Sequence, residues 1–375
     1  MEKLSPLAVQ KLKKSPIFNF SLSSKELFHS NFLAWMLNEL ITDEVGNYTS
    51  NGQFDMFWKL FCKYGRLSEE FNGLIIKFDS IKREEKNLDL LFSAHIGDNN
   101  YFDVIIENKV KSIPYIGQLK EYASKAKKGS RLILLTLHCP ENLNAQNRLI
   151  NVGDDAVWCV VTYSDLKKCL SNFLDQPTTL SSYNREIIAD YIQLLGVLIA
   201  VSEEAEISES EFFNWADENS NTVIRYLRDL RLADFYLKKK YALLADLVKN
   251  RVGNVKEISI NSGFSNSTGF LDIKYKVDDS LNLGIQIQAN MFRLVIEGQN
   301  ADHTEHTAME LNSEGWFDFQ IIEHNGIVYP KNNGLNKYGE NFRYKYVNIP
   351  SRTKLVKVLD YIEHYIMKFT KYNHE

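Results

Sequence analysis

A β-branched run that ends in two opposite charges limits the possible folds more than any other feature of the sequence. Val104, Ile105 and Ile106 are followed at once by Glu107, Asn108 and Lys109. Such a run reads as a buried strand. An acid and a base at the end of a buried strand are costly unless they hold each other or a metal ion. Side chains alternate along a strand, so Glu107 and Lys109 face the same way, roughly 6–7 Å apart along the chain. Taken alone the two read as an internal ion pair, because Glu-x-Lys is common by chance.

The surrounding segments supply an α/β unit. Strand patterns precede the run at 74–78, 80–85 and 88–92, the last placing Leu88, Leu90 and Phe92 on one face and Asp89 on the other. Gly97-Asp98-Asn99-Asn100 is a turn signal, so 88–92 and 102–108 pair as an antiparallel hairpin that brings Asp89 towards Glu107 and Lys109. After Pro114, residues 115–128 read as a helix stopped by Gly129, with Gln118 and Tyr122 four apart on one face. Residues 131–137 form the next buried strand, and this strand–helix–strand order implies a right-handed crossover between parallel strands. A strand at 156–162 and a helix at 163–174 follow.

Upstream, residues 1–22 read as a leader with turns at Pro6 and Pro16. Ser23 and Glu26 make a capping-box pattern for a helix running to about Ile41, with Phe28, Phe32, Trp35, Met36 and Leu40 as its apolar stripe. Glu26, His29, Ser30 and Asn31 read from spacing alone as capping, exposed residues. A second helix is expected at 55–64. Downstream, 187–198 is a core helix, 203–218 is acidic, and 222–251 carries Arg225, Arg228, Arg231 and Lys238-Lys239-Lys240 as a solvated basic face, with a phosphate-contacting helix as the sharper alternative. From Val255 the period becomes two, giving strands at 256–261, 269–277, 283–288 and 291–297, a tight turn at Ala289-Asn290, and a further strand at 316–322. An amphipathic helix at 354–369 closes the chain. Asp302-His303-Thr304-Glu305-His306 reads as a surface loop rather than a metal cluster. These changes of period divide the chain into 1–180, 181–252 and 253–375. The fold class expected is α/β, a mixed sheet flanked by helices, followed by a helical segment and a C-terminal α+β domain with an antiparallel sheet.

Composition narrows the setting. With a formal charge of -4 over 375 residues, no global attraction draws a polyanion, so any such binding rests on local patches. Cys62, Cys139, Cys159 and Cys169 form no CxxC pair and read as buried, reduced thiols. The start of the chain lacks the apolar core of a secretory signal, and the longest apolar-rich run, 187–201, contains Asp190 and Gln193 and is too short for a bilayer. A soluble, cytoplasmic protein without membrane contact is expected. Neither a phosphate-cradling G-x-x-x-x-G-K-[ST] loop nor a Gly-x-Ser-x-Gly elbow occurs.

The acid and base groups around the hairpin are Glu84 or Glu85, Asp89, Glu107 and Lys109. Converging carboxylates repel one another, and a hard divalent cation such as Mg²⁺ or Mn²⁺ resolves that repulsion. Such an ion polarises phosphoryl oxygens and helps ionise water, and Lys109 beside it would orient that water or stabilise developing negative charge. This set resembles the PD-(D/E)XK nuclease superfamily. Asp89 matches its second motif, Glu107-Asn108-Lys109 its (D/E)-x-K motif, and Gln118–Tyr122 the Q-x-x-x-Y helix of one of its branches. The helix with His29-Ser30-Asn31-Phe32-Leu33-Ala34-Trp35 is similar to the leading helix of a bacterial branch, in which an acid, here Glu26, joins the site. No proline precedes Asp89, which departs from the emblem of the family.

The resemblance covers roughly residues 24–170 and implies a restriction-endonuclease-like fold and metal-dependent hydrolysis of phosphodiesters. It implies Asp89, Glu107, Glu26 and Glu85 as metal-site acids, Lys109 as the residue that positions water, and Gln118 and Tyr122 as orienting groups. The expected partner is nucleic acid, DNA before RNA, in phage defence or restriction. Lys111, Lys120 and Lys125 lie close to the site in sequence and would meet phosphates, with simple solvation of surface lysines as the plainer account. A double-strand cut needs paired active sites, which a homodimer would supply. The alternatives are a catalytically silent binding or regulatory protein built on the nuclease fold, and an RNA-cleaving nuclease with the same site.

Overall fold

The computed structural model describes residues 17, 26–41, 76–78, 81–85, 88–96, 100–110, 114–138, 148–153, 156–175, 180–218, 221–253, 255–265, 268–323 and 334–372. The leader prolines, the Ser23 cap, the helix at 55–64, the Gly97-Asp98-Asn99 turn, Cys62, Cys139 and Lys111 lie outside the described residues. The chain divides into two compact units, Met1–Glu204 and Ala205–Glu375. The helical stretch that the sequence sets apart at 181–252 is therefore shared between them.

The first unit is a mixed seven-stranded sheet flanked by helices. Its strands are β1 (Ile76–Phe78), β2 (Lys82–Glu85), β3 (Leu88–Ile96), β4 (Asn100–Lys109), β5 (Arg131–Thr136), β6 (Leu149–Gly153) and β7 (Ala156–Thr162). They run in the order β1-β3-β4-β5-β7-β6, with β2 also paired to β3. The β3–β4 hairpin is antiparallel, whereas β4–β5 and β5–β7 are parallel. Helix α2 (Ile116–Lys125) makes the β4–β5 crossover, and Gly129, at φ 88, turns the chain into β5. Strand β6 pairs antiparallel with β7 and was not apparent in the sequence.

Every residue of β4 from Asp103 to Lys109 is buried, as expected for a central strand covered on both faces. On one face Ile105, Leu132, Leu134, Trp158 and Val160 pack beneath Leu119 of α2, and the Trp158 indole donates to the Leu119 carbonyl at 3.1 Å. The other face meets α1 (Glu26–Ile41) and α3 (Tyr163–Leu174). Helix α3 starts where it does because Thr162 and Asp165 form a capping box. Helix α4 (Ser182–Glu204) buries Ile188, Tyr191, Leu194, Leu195 and Leu198, the stripe expected of a core helix. Cys159 and Cys169 are buried thiols outside any disulfide.

The second unit contains helices α5 (Thr222–Asp229) and α6 (Ala233–Val252), an antiparallel sheet, and α9 (Leu355–Lys371). Its strands are β8 (Ile258–Ser265), β9 (Thr268–Lys276), β10 (Leu281–Gln288), β11 (Met291–Gly298), β12 (Asn336–Tyr338) and β13 (Phe342–Asn348), in the order β12-β13-β11-β10-β9-β8. Gly269 lies flat under Tyr241 of α6, where a Cβ would stand 2.2 Å from the ring, so only glycine admits that helix. The tight β10–β11 turn holds Ala289 at φ 51. Helix α9 buries Leu355, Val358, Leu359, Ile362, Tyr365, Ile366 and Phe369, its full expected stripe.

Three expectations fail in this unit. Residues 302–306 lie in helix α7 (Ala301–Ser313), capped by the Asn300 side chain, and are not a loop. Residues 316–322 form a turn leading into the short helix α8 (Gln320–Glu323) instead of a strand. Lys239 and Lys240 are buried, not solvated. Lys240 Nζ contacts the Glu211 carboxylate at 2.7 Å and sits 5.5 Å from both the Trp215 and Tyr236 rings, which give the ammonium an electrostatic partner and two π-faces. None of the described helices is long and apolar enough to cross a membrane.

Candidate active site

Strand alternation builds the site. Glu107 and Lys109 stand on the face that carries Ile105 and α2, and Asn108 points to the other. The Lys109 ammonium contacts Glu107 Oε1 at 2.6 Å, with the two side chains 7% and 2% exposed. The several kcal/mol that each buried ion costs must be offset locally. Val104, Ile105 and Ile106, each at most 1% exposed, contribute roughly 1.5–3 kcal/mol apiece.

The β3–β4 register pairs Leu90 with Ile106, which sets Asp89 across from Glu107. The backbone amide of Asn108 donates to Asp89 Oδ2 at 2.6 Å. This bond ties the β3 acid to the middle residue of the Glu-x-Lys tripeptide. In the β2–β3 pairing, Arg83 opposes Leu90 and Glu85 opposes Leu88, so Glu84 is the residue opposite Asp89. Glu84 has φ 54 and is exposed. Glu85 pairs with Lys82 at 3.1 Å, so its carboxylate is engaged at the surface.

On α2 the Gln118 amide donates to the Tyr122 hydroxyl at 2.9 Å. Tyr122 also packs on the cluster containing Ile105, which shares its strand face with Glu107. Of the basic residues nearby, Lys120 is exposed. Lys125 pairs with Glu121 at 2.8 Å and lies 4.9 Å above the Tyr122 ring. Lys127 pairs with Asp103 at 2.9 Å. Glu26 opens α1, and its side chain lies outside the described residues.

Behind the strand lies a polar network that spacing alone did not reveal. His29 and Ser30 are 1% and 0% exposed, contrary to their expected role as exposed capping residues. The Asn108 amide donates to Ser30 Oγ at 3.2 Å and accepts from the Tyr163 hydroxyl at 2.5 Å. His29 Nδ1 lies 3.0 Å from the Tyr191 hydroxyl. Burial pushes the Tyr191 phenol up against a smaller opposing effect from Tyr163, so it stays protonated. Arg83 donates to Asn31 at 2.6 Å, fastening α1 to β2. The one sequence signal for this network was the resemblance of the His29-Ser30-Asn31 helix to a family helix.

Asp89 and Glu107 fit a Mg²⁺-type ion by the chemistry of their donors. Mg²⁺ asks a protein for only one or two carboxylates, and water and phosphate oxygens complete its shell. Among the described residues no group of three or more His, Cys, Asp or Glu could hold a metal ion. Two carboxylates and an ammonium at one strand end are the donor set that a divalent cation and a phosphate would use.

Residues 16–193 match the family model of the PD-(D/E)XK nuclease superfamily. No curated protein and no solved structure matches the chain.

Proposed function

We propose that this protein, whose residues 16–193 belong to the PD-(D/E)XK nuclease superfamily, is a divalent-metal-dependent nuclease that hydrolyses phosphodiester bonds in DNA and serves in phage defence or restriction. The observation that carries the reading is the placement of Asp89 across from Glu107, with Lys109 2.6 Å from the Glu107 carboxylate on the same strand face. Buried charges gathered at one strand end are costly for a scaffold that uses none of them.

In this reading Asp89 and Glu107 hold Mg²⁺ or Mn²⁺. The ion, when bound, polarises the scissile phosphate and lowers the pKa of water. Lys109, three donors on a flexible stem, orients the attacking water and shields the charge that builds on phosphate oxygen. The Asn108 amide holds Asp89 in place from behind. Gln118 and Tyr122, already bonded to each other, orient the site or the adjoining phosphate. Lys111, Lys120 and Lys125 supply contacts to the polyanion, and Glu26 is a candidate for a further acid. A homodimer would present two such sites for a double-strand cut.

The closed Glu107–Lys109 pair favours a second reading, a silent scaffold in which the two charges satisfy each other. One assay separates the two. The protein is incubated with single- and double-stranded DNA and RNA in Mg²⁺, Mn²⁺ or EDTA, beside Asp89→Ala and Lys109→Ala. Metal-dependent cutting that both variants lose supports the nuclease, and preference for RNA would change the substrate but not the site. Absence of cutting under every condition leaves the scaffold.

A further inference from the structure

Among the described residues, the helices of the second unit lie on one face of its sheet. Helices α6, α7 and α9 all pack against the face of Leu271, Ile285 and Phe292: Tyr241 of α6 meets Gly269, Glu305 of α7 pairs with Arg343, and Tyr365 of α9 lies 5.8 Å from Phe292. Among the described residues no helix packs on the opposite face.

On that opposite face runs a ladder of four aromatic rings. Alternation along β13 puts Tyr346, Tyr344 and Phe342 on one side, and the β12–β13 register adds Tyr338 beside Phe342. Successive ring centroids lie 6.2, 6.0 and 6.4 Å apart. The three β13 rings are half-buried and Tyr338 is 77% exposed. A contiguous aromatic strip that reaches the surface is the kind of patch that marks an interaction site.

The charge beside the ladder is positive. Arg293 on β11 pairs in register with Tyr346, and its guanidinium lies 5.5 Å from the centre of the Tyr344 ring. It donates to Gln286 at 2.5 Å and Gln288 at 3.1 Å, and its Nε is buried without a hydrogen-bond partner. The two acids on this face, Asp272 and Glu297, both lie against Lys274, at 3.5 and 2.5 Å. Among the described residues no carboxylate pairs with Arg293. Rings for base faces, a cation for phosphate and amides for base edges are the three elements with which sheets bind unpaired nucleic acid. A duplex hides its base faces, and the ring spacing suits a strand stretched beyond the roughly 3.4 Å per nucleotide of a duplex strand.

We propose that the open face of the C-terminal sheet binds single-stranded nucleic acid, with bases stacked on Tyr346, Tyr344 and Phe342 and Arg293 beside the phosphates. The nuclease reading contributes only the choice of polymer, and the platform lies in the other unit of the chain. The test uses the full chain carrying Lys109→Ala, in EDTA, so that nothing is cut. Fluorescence anisotropy follows a labelled oligodeoxythymidine, an oligouridine and a DNA duplex. The single strands should bind tighter than the duplex. Tyr344→Ala and Tyr346→Ala should each weaken binding by about 5- to 150-fold, the range for loss of one stacked base. Tyr344→Phe should bind as the parent does, whereas Tyr344→Leu, which keeps the apolar bulk, should bind as weakly as Tyr344→Ala. Arg293→Gln should make the salt dependence shallower. No binding, preference for duplex, or alanine and leucine variants that bind like the parent would overturn the platform. If the chain with an intact Lys109 cuts and the ladder is inert, this inference alone fails; if it binds through the ladder and never cuts, the nuclease reading alone fails.

Discussion

The backbone amide of Asn108 donates to Asp89 Oδ2 at 2.6 Å, so one hydrogen bond joins the acid of β3 to the Glu107–Lys109 strand end. Replacing Asp89 separates its two roles. Asp89→Asn keeps an acceptor for the Asn108 amide but loses the anionic oxygen a metal needs. It should leave stability within about 1 kcal/mol of the parent, whereas Asp89→Ala should lose about 1.5–3 kcal/mol, the worth of a hydrogen bond to a charged group. Both should lose cleavage by about 100-fold or more, since a bound metal supplies several kcal/mol of transition-state stabilisation. Urea titration and a cleavage assay read the two effects, and an Asp89→Asn protein that cuts normally would remove Asp89 from the metal site.

The Glu107–Lys109 contact predicts strong non-additivity. With side chains 2% and 7% exposed, removing either partner strands a charge in the interior. Lys109→Met should cost about 3–5 kcal/mol. The double change Glu107→Gln with Lys109→Met strands no charge and should recover most of that loss. Midpoints of denaturant unfolding for the two singles and the double give the coupling. Simple addition of the single effects would mean that the pair does not form.

Asn108 links the site to the network behind it. Asn108→Leu removes one hydrogen bond from each of Ser30 and Tyr163 and should destabilise the protein by roughly 1–3 kcal/mol, at about 0.5–1.5 kcal/mol for each bond lost. Ser30→Ala should cost less, about 0.5–1.5 kcal/mol, since it removes only one of the two side-chain hydrogen bonds of Asn108. A cycle pairing Asn108→Ala with Tyr163→Phe should show coupling above about 0.5 kcal/mol. A coupling of zero would dissolve the network.

How much of this was legible in the sequence depended on where the deciding contact lay. The β4 strand, the β3 hairpin and the α2 crossover were readable because period, turn residues and the Glu-x-Lys ending all act over short distances. The burial of His29 and Ser30 was not, because their partners Tyr191 and Asn108 are far along the chain. Helix α7 was hidden by its polar buried face, where Thr304 and Thr307 stand with Ala308 and Leu311. Its Asn300 cap was nonetheless present in the sequence. Trp316, Phe317 and Phe319 have strand propensity, but Gly315 at φ 78 and burial of Phe319 beside Tyr365 place them in a turn instead. Strands β12 and β13 were missed because their alternation exposes aromatic residues on the open face rather than polar ones.

The C-terminal helix predicts a pH effect near neutrality. Burial, with Lys368 and Lys371 nearby, holds His364 below its ordinary value of 6.5. The folded state therefore takes up a proton less readily than the unfolded state, and the contribution of His364 is complete above about 6.5 and is lost as pH falls through the folded value. His364→Gln should flatten the fall in thermal stability between about pH 7 and the acid side of that window. A parent and variant with parallel pH profiles would show that His364 titrates normally.

Metal should stabilise the protein before any substrate is present. An ion that binds the folded site and not the unfolded chain adds RT ln(1 + [L]/Kd), about 2.7 kcal/mol at a hundredfold excess over Kd. Asp89 on β3 and Glu107 on β4 are the anionic donors such an ion would take, with Lys109 already against Glu107 at 2.6 Å. Thermal unfolding followed by calorimetry should therefore shift upward with Mg²⁺ or Mn²⁺ and return on addition of EDTA. Asp89→Asn should abolish the shift, while Lys240→Met, a change in the other unit of the chain, should leave it intact even though it alters the starting stability. A shift that persists in Asp89→Asn would place the ion elsewhere, and no shift in the parent at millimolar metal would leave Glu107 and Lys109 as a structural ion pair.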